Sequence, residues 1–290
     1  MYEKILVPLD GSELAEQAIP YAIMIAKKFQ SEVILLTTSE PASRFEHPLQ
    51  SYMEKQTKAL KSLKVRAEFV CLHGNAATEI LKFAEGNGIN LIVISTHGCT
   101  GDRCWPMGSI ANKVVQRSSI PMLLIRPTQS VEHIEKRLRT MLVALDGSPV
   151  AEKIIPYVES LAKKMGSEVI LFRAVEPLSM PFGTSYPFLE EYKVAFAANA
   201  EKEAKAYLSE QESKLRDKGL KIISDIVKTK PDQAILQYAE DHSISLIALT
   251  THGFSGIAKW AYGSVAARVI EGSTKPILLL RPPLQEEICQ

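Results

Sequence analysis

The sequence of 290 residues lacks most of the features that mark secreted, membrane and nucleic-acid-binding proteins. No apolar run approaches the roughly 20 residues that a membrane-spanning helix needs. Lysine and arginine exceed aspartate and glutamate by one, with no long basic run, which disfavours nucleic acid because binding the phosphate backbone requires clustered positive charge. The cysteines form no CxxC pair and indicate no disulfide framework. They are Cys71, Cys99, Cys104 and Cys289.

What the sequence does contain is typical of a globular protein with two domains. Hydrophobic residues make up 46% and charged residues 23% of the chain, and its length allows two domains of ordinary size. Residues 1–4 lead straight into a strand-like run, so no signal peptide is expected. Together with the few cysteines, this favours a reducing, cytoplasmic location.

The sequence repeats itself, and the repeat includes polar loops as well as hydrophobic positions. Leu-Asp-Gly-Ser at 9–12 returns at 145–148, an offset of 136 residues. Thr-His-Gly at 96–98 returns at 251–253, and Gly-Ser at 108–109 returns at 263–264, both at an offset of 155. The change of offset places 19 additional residues in the second half, between its second and third strands. Since a duplicated fold needs to keep only its core, the duplicated glycine-rich loop indicates a duplicated site.

Short apolar runs alternate with amphipathic runs in both halves, as in a doubly wound α/β sheet. We predict two tandem five-stranded parallel-sheet domains, Rossmann-like, with strand order 3-2-1-4-5. Strands are predicted at 5–9, 33–37, 65–71, 91–95 and 122–125, and again at 142–145, 169–174, 222–227, 246–250 and 277–280. Helices are predicted at 13–29 and 77–85, and a longer helix at about 190–217 in the segment that the insertion lengthens.

The domain boundaries follow from the repeat and from a polar, charged segment near the middle of the chain. Domain one is predicted at 1–127, a linker at 128–139 and domain two at 140–290. The last strand of each domain is an edge strand, and unpaired edges need covering. We therefore expect strands 122–125 and 277–280 to pair within the chain, and the same logic permits a homodimer.

Two loops in each half have the position of a ligand site. In open parallel sheets, ligands bind beyond the carboxyl ends of the strands, where the winding direction reverses. One loop follows the first strand, and the other follows the fourth strand. In the latter, a glycine is followed by nine residues and then by a Gly-Ser pair that opens a helix. Backbone amides at a helix N-terminus attract phosphate, so this loop is a candidate phosphate cradle.

On these residues the chain resembles the universal stress protein family in its tandem two-domain form. ATP-binding members of that family carry the motif G-x2-G-x9-G-(S/T) and an aspartate after the first strand. The matching residues are Asp146, Gly253, Gly263 and Ser264 in domain two, and Asp10, Gly98, Gly108 and Ser109 in domain one. The resemblance implies a bound adenine nucleotide, ATP or else AMP or ADP, with Mg²⁺ beside the phosphates. It also implies adenine-side contacts at Thr38 and Ala174.

The leading glycine of the motif is replaced in both domains. Ser95 stands in its place in domain one, and Thr250 stands there in domain two. Either side chain could crowd the ribose, or its hydroxyl could donate a hydrogen bond to it. Both residues are therefore included among the candidate binding residues.

The nine-residue stretches of the two domains differ in a way that favours the second site. Stretch 99–107 contains Asp102, which repels phosphate unless a metal lies between, and Pro106, which lacks an amide donor. Stretch 254–262 contains Lys259 and no acid. We expect site two to bind nucleotide in preference to site one.

Three functions fit these residues. The leading hypothesis is an ATP-binding stress-response regulator, in which nucleotide occupancy favours a conformation that an unknown protein partner reads. The second is a slow ATPase or phosphotransferase, although no general base or Walker lysine motif is evident and little turnover is expected. The third is a nucleotide-free interaction scaffold. His97 and His252 are predicted to brace the loop rather than to catalyse.

Overall fold

A computed structural model describes residues 1–39, 46–98, 107–127, 138–177, 187–252 and 263–282, without the side chains of 46 and 187–193. None of the helices in these ranges is both long and apolar enough to cross a membrane. The predicted linker at 128–139 lies almost wholly outside the described residues.

The first domain alternates strands with helices. Its elements are β1 (Lys4–Pro8), α1 (Glu13–Glu16), α2 (Ile19–Phe29), β2 (Glu32–Ser39), α3 (Glu46–Ser62), β3 (Arg66–His73), α4 (Ala76–Gly86), β4 (Leu91–Ser95), α5 (Ser109–Arg117) and β5 (Met122–Ile125). Every residue of β4 and β5 is buried, as expected for strands that helices cover on both faces.

The second domain repeats the same order of elements. They are β6 (Thr140–Ala144), α6 (Pro149–Glu152), α7 (Ile155–Met165), β7 (Glu168–Ala174), α8 (Pro187–Arg216), β8 (Lys221–Val227), α9 (Pro231–Asp241), β9 (Leu246–Thr250), α10 (Ser264–Gly272) and β10 (Ile277–Leu280). The insertion lies where it was predicted, between β7 and β8. It lengthens α8 to 30 residues, whereas its counterpart α3 has 17.

The strands form one continuous ten-stranded sheet in the order β3-β2-β1-β4-β5-β10-β9-β6-β7-β8. Each half therefore has the predicted order 3-2-1-4-5. All pairings are parallel except that of β5 with β10, which is antiparallel and sets Leu123 opposite Leu278. The predicted pairing of the two last strands is confirmed.

Polar contacts reinforce this junction between the halves. The hydroxyl of Tyr2, before β1, donates to the carbonyl of Tyr157 in α7 at 3.0 Å. The Arg126 guanidinium, after β5, donates to the carbonyls of Glu271 and Ser273 at 2.6 and 3.0 Å. The last carbonyls of a helix have no intrahelical donor, so Arg126 of domain one caps α10 of domain two.

Proline divides the helix that was predicted at 13–29. Pro20 is in the first turn of α2 and has no N–H to donate to the carbonyl of Glu16, and its ring would clash with that carbonyl. The chain therefore turns between α1 and α2. Pro156 separates α6 from α7 in the same way. In both cases the short first helix follows the loop that carries the candidate aspartate.

Candidate functional site

A cavity of about 240 Å³ opens in domain one at the carboxyl ends of β1 and β4. All six residues predicted for this domain line it: Asp10, Thr38, Ser95, Gly98, Gly108 and Ser109. Apolar side chains of β2, β4 and α4 complete its walls, among them Leu36, Ile80 and Ile94. Apolar walls with a few convergent polar groups are typical of small-molecule sites.

The aspartate after the first strand shapes its own turn. Asp10 Oδ1 accepts hydrogen bonds from the amide of Ser12 at 3.0 Å and from its hydroxyl at 2.6 Å. Ser12 in turn caps α1, its hydroxyl accepting from the amide of Ala15 at 3.2 Å. In domain two, Asp146 Oδ1 accepts from the Ser148 amide at 2.9 Å. Each aspartate therefore has a structural role in addition to its place at the candidate site.

Gly98 lets the two loops of domain one meet. A Cβ atom added to Gly98 would lie 2.1 Å from Asp10 Oδ2, well inside any permitted contact. Glycine is therefore needed here because the side chain of another chain segment approaches closely. The contact places the Asp10 carboxylate directly against the loop that follows β4.

The N-terminus of α5 supplies donors at the other end of the cavity. Gly108 is the N-cap residue, with no capping side chain, and its amide donates to the carbonyl of Thr96 at 2.7 Å. The first intrahelical bond of α5 runs from Asn112 to the Gly108 carbonyl. The amides of 109–111 therefore have no acceptor within the helix, which is the property that lets the first amides of a helix bind an anion.

The residues that replace the leading glycine of the motif stabilise the loop. The Ser95 hydroxyl donates to the carbonyl of His97 at 2.8 Å, and the Thr250 hydroxyl donates to the carbonyl of His252 at 2.6 Å. The ring Nδ1 of His97 lies 3.0 Å from the hydroxyl of Thr96, an arrangement that recurs at His252. Both histidines therefore brace the loop as predicted, and the hydroxyls of Ser95 and Thr250 donate to the loop backbone.

The second domain arranges its candidates on the same plan. Asp146 follows β6, Ala174 ends β7, Thr250 ends β9, and Gly263 and Ser264 begin α10. These three strands are parallel neighbours, so their carboxyl ends meet at one edge of the sheet. The Gly263 amide donates to the carbonyl of Thr251 at 2.7 Å, as Gly108 does in domain one. Gly253 lies outside the described residues.

A polar cluster behind each Asp-Gly-Ser turn was not predicted. In domain one, the Gln56 amide donates to Glu16 at 2.9 Å, and burial together with the nearby Glu16 carboxylate raises the pKa of Tyr52. In domain two, the equivalent residues are Gln211, Glu152 and Tyr207. All three pairs recur at the repeat offsets of 136 or 155, which is the signal that could have revealed them.

Binding of a divalent metal at this site would require phosphate groups of a bound ligand. Within the described ranges, no group of three histidine, cysteine or acidic side chains is arranged to hold a metal ion. Mg²⁺ is commonly held by one or two carboxylates together with substrate phosphates and water. Asp10 is the one acidic side chain among the described residues that line this cavity, so phosphate oxygens and water would have to supply most of the Mg²⁺ ligands.

Comparison with known proteins gives matches along nearly the whole chain. The sequence model described as Universal stress protein family matches residues 1–126 and again 137–281. Universal stress protein YxiE of Bacillus subtilis is 30% identical over 148 residues, which are 43% of this chain and 100% of that protein. Universal stress protein Slr1230 of Synechocystis is 23% identical over 314 residues, covering 96% of this chain and 100% of that protein.

Solved structures agree with the sequence matches in fold. The crystal structure of a universal stress protein from Archaeoglobus fulgidus aligns with 98% of this chain and 100% of its own, with a TM-score of 0.74 at 18% identity. At this identity the likeness concerns the fold, which includes both domains.

Proposed function

Since the chain belongs to the universal stress protein family, we propose that it binds an adenine nucleotide, ATP in the first instance, at the carboxyl ends of the central strands of each domain. The observation that carries the proposal is the cavity of domain one. It brings together all six residues that the resemblance to ATP-binding members selects, from four separate segments of the chain.

Successive regions of the cavity have the chemistry to bind adenine, ribose and phosphate. Leu36, Ile80 and Thr38 form a largely apolar wall that fits an adenine ring. Asp10 lies between that wall and the loop after β4, where a carboxylate can accept from a ribose hydroxyl. The amides of 109–111 and the positive end of the α5 dipole favour phosphate. A bound Mg²⁺ would be coordinated by phosphate oxygens and would offset the negative charge of the phosphates.

Nucleotide occupancy has a direct route to the domain junction. A ligand at the start of α5 contacts the segment that leads through α5 to β5, and β5 pairs with β10 of the other domain. Binding that favours one position of α5 would therefore bias the geometry of the junction, which a protein partner could read. We propose a stress-response regulator in the cytoplasm that works in this way.

We propose a second copy of the chain as a partner, on physical grounds. Strands β3 and β8 are the two outer edges of the ten-stranded sheet. Covering such an edge by pairing with another copy would protect its unpaired backbone groups. Analytical ultracentrifugation with and without nucleotide would test the homodimer.

The binding test uses matched variants at the N-cap glycines. Gly108→Asp and Gly263→Asp each put a carboxylate where phosphate is expected, while Gly108→Ala and Gly263→Ala add the Cβ alone. That Cβ would lie 3.3 Å from the carbonyl of Thr96 or Thr251, a tight contact that both members of each pair share. In calorimetric titrations with ATP and MgCl₂, each aspartate variant should lose one site and each alanine variant should retain two. Equal binding by all four variants would contradict the proposal, and no binding by the wild type would favour a nucleotide-free scaffold.

A further inference from the structure

The Asp-Gly-Ser turn is supported by different side chains in the two domains. In domain one, a Cβ on Gly11 would meet Leu49 Cδ2 at 3.7 Å, an ordinary apolar contact. In domain two, a Cβ on Gly147 would meet Arg173 Nη1 at 2.9 Å and Cζ at 3.2 Å. A guanidinium group therefore lies directly against the turn. Position 173 corresponds by the repeat to Thr37, which is too short to reach the turn.

Arg173 is held between the turn and an aromatic ring. Its Cζ lies 5.4 Å from the centroid of the Tyr207 ring in α8, within cation–π distance. Burial, Glu152 and Asp146 raise the pKa of Tyr207, whereas Arg173 acts on that pKa in the opposite direction. Arg173 and the two carboxylates thus act on the same tyrosine, and one of these carboxylates belongs to the candidate ligand contact Asp146.

The side chain of Arg173 is on the face of the sheet away from the predicted nucleotide. Successive residues of a strand point to opposite faces. Ala174 packs against the core cluster that contains Phe172, whereas Tyr207 packs against the other cluster, which contains Leu171. Any effect of Arg173 on a ligand would therefore pass through the turn that carries Asp146.

We propose that Arg173 is a positioning residue that holds the 146–148 turn in its binding conformation, so that the second-domain site binds nucleotide more tightly than the first. The inference rests on the proposed function for its ligand. Gly147 has a φ of +89°, a conformation accessible to glycine but easily lost from a free turn. A turn that is already fixed loses less conformational freedom on binding.

Hydrogen exchange tests the positioning role in the ligand-free protein. The Ser148 amide bonds to Asp146 and the Ser12 amide bonds to Asp10, so one spectrum reports both turns. Arg173→Thr, which copies domain one, should speed exchange at Ser148 by roughly 3- to 10-fold, the range a cation–π contact supports. Exchange at Ser12 should not change. Unchanged exchange at Ser148 in the folded variant would overturn the proposal.

The substitutions at Arg173 also separate charge from packing. Arg173→Lys keeps the positive charge and should recover most of the protection at Ser148. Arg173→Met has similar bulk without charge and should behave like Arg173→Thr. A methionine variant better protected than the lysine variant would show that bulk alone supports the turn, and would contradict the electrostatic argument.

Nucleotide titration then tests the difference in affinity. In a Gly108→Asp background, where the second site is left to report, Arg173→Thr should raise the Kd for ATP about 3- to 10-fold. In a Gly263→Asp background, the same change should leave the Kd of the first site unaltered. Equal effects in both backgrounds would overturn the proposal. If the wild type binds no adenine nucleotide, the proposed function fails and the affinity claim fails with it, whereas the exchange experiment still decides whether Arg173 holds the turn.

Discussion

Replacing Gly98 by alanine tests whether the two loops of the candidate site depend on each other. The added Cβ would lie 2.1 Å from Asp10 Oδ2 and 3.1 Å from its Cγ. The φ of Gly98 is outside the left-handed region, so the cost comes from this contact and not from backbone strain. The carboxylate must rotate away, and its two hydrogen bonds to Ser12 are then weakened or lost.

The size of the effect follows from those two bonds. Hydrogen bonds to a charged group contribute about 1.5–3 kcal/mol each when buried, but Asp10 is only half-buried. We therefore expect a loss of about 1–2 kcal/mol in the free energy of unfolding, measured by urea denaturation. Gly86→Ala is the matched control, because nothing lies within 4 Å of its Cβ position at the end of α4. Its effect should be neutral or stabilising by up to about 1 kcal/mol.

A double-mutant cycle gives the decisive comparison. In an Asp10→Ala background the added Cβ meets no carboxylate, so Gly98→Ala should cost almost nothing there. The coupling between the two sites should then be about 1 kcal/mol or more. Additive costs would show that the contact between Gly98 and Asp10 does not determine the loop geometry.

Three further predictions concern the junction between the domains, the core of the sheet and the stability of the protein at low pH. Tyr2→Phe removes a hydrogen bond between the domains and should lower the unfolding free energy by about 1 kcal/mol. Leu278→Ala, at a residue 1% exposed in the strand that joins the halves, should cost about 2–5 kcal/mol in urea denaturation, whereas Ile223→Ala, 42% exposed on an outer edge strand, should cost far less. Hydrogen bonds from Lys163 and Lys218 lower the pKa of Glu159 below its usual 4.5. Glu159 therefore contributes to the free energy of unfolding above pH 4.5, and this contribution is lost as the pH falls further. Glu159→Gln should lower the free energy of unfolding at pH 7 and have little effect on it at pH 2. An equal effect at both pH values would contradict this assignment.

The parts of the fold that depend on hydrophobic pattern were predictable from the sequence. Strands β4 and β9 are short aliphatic runs that are buried on both faces, and they were predicted at 91–95 and 246–250 with the bounds that the structure has. The order of strands in both halves and the pairing of β5 with β10 were also predicted. These features follow from general rules for parallel sheets and for edge strands.

Features that depend on single contacts were harder to predict. The division of α1 from α2 required attention to Pro20, because periodicity alone continues across it. Helix α3 was missed, since its buried residues Met53, Thr57 and Leu60 are few among many polar ones. The difference between Thr37 and Arg173 is visible in the sequence, but its meaning depends on the position of Tyr207 in a helix on the far side of the insertion. Long-range contacts of this kind are not encoded in local pattern.

The proposed function requires adenine nucleotide at the carboxyl ends of the strands, and measuring the nucleotide content of the purified protein is its clearest test. The protein would be denatured, its supernatant chromatographed, and the result compared for the wild type, for Gly108→Asp/Gly263→Asp and for Gly108→Ala/Gly263→Ala. We expect the wild type and the alanine variant to release adenine nucleotide, or to bind ATP with MgCl₂ once stripped, and the aspartate variant to do neither. A wild type that carries no nucleotide and binds none at millimolar ATP would contradict the proposed function.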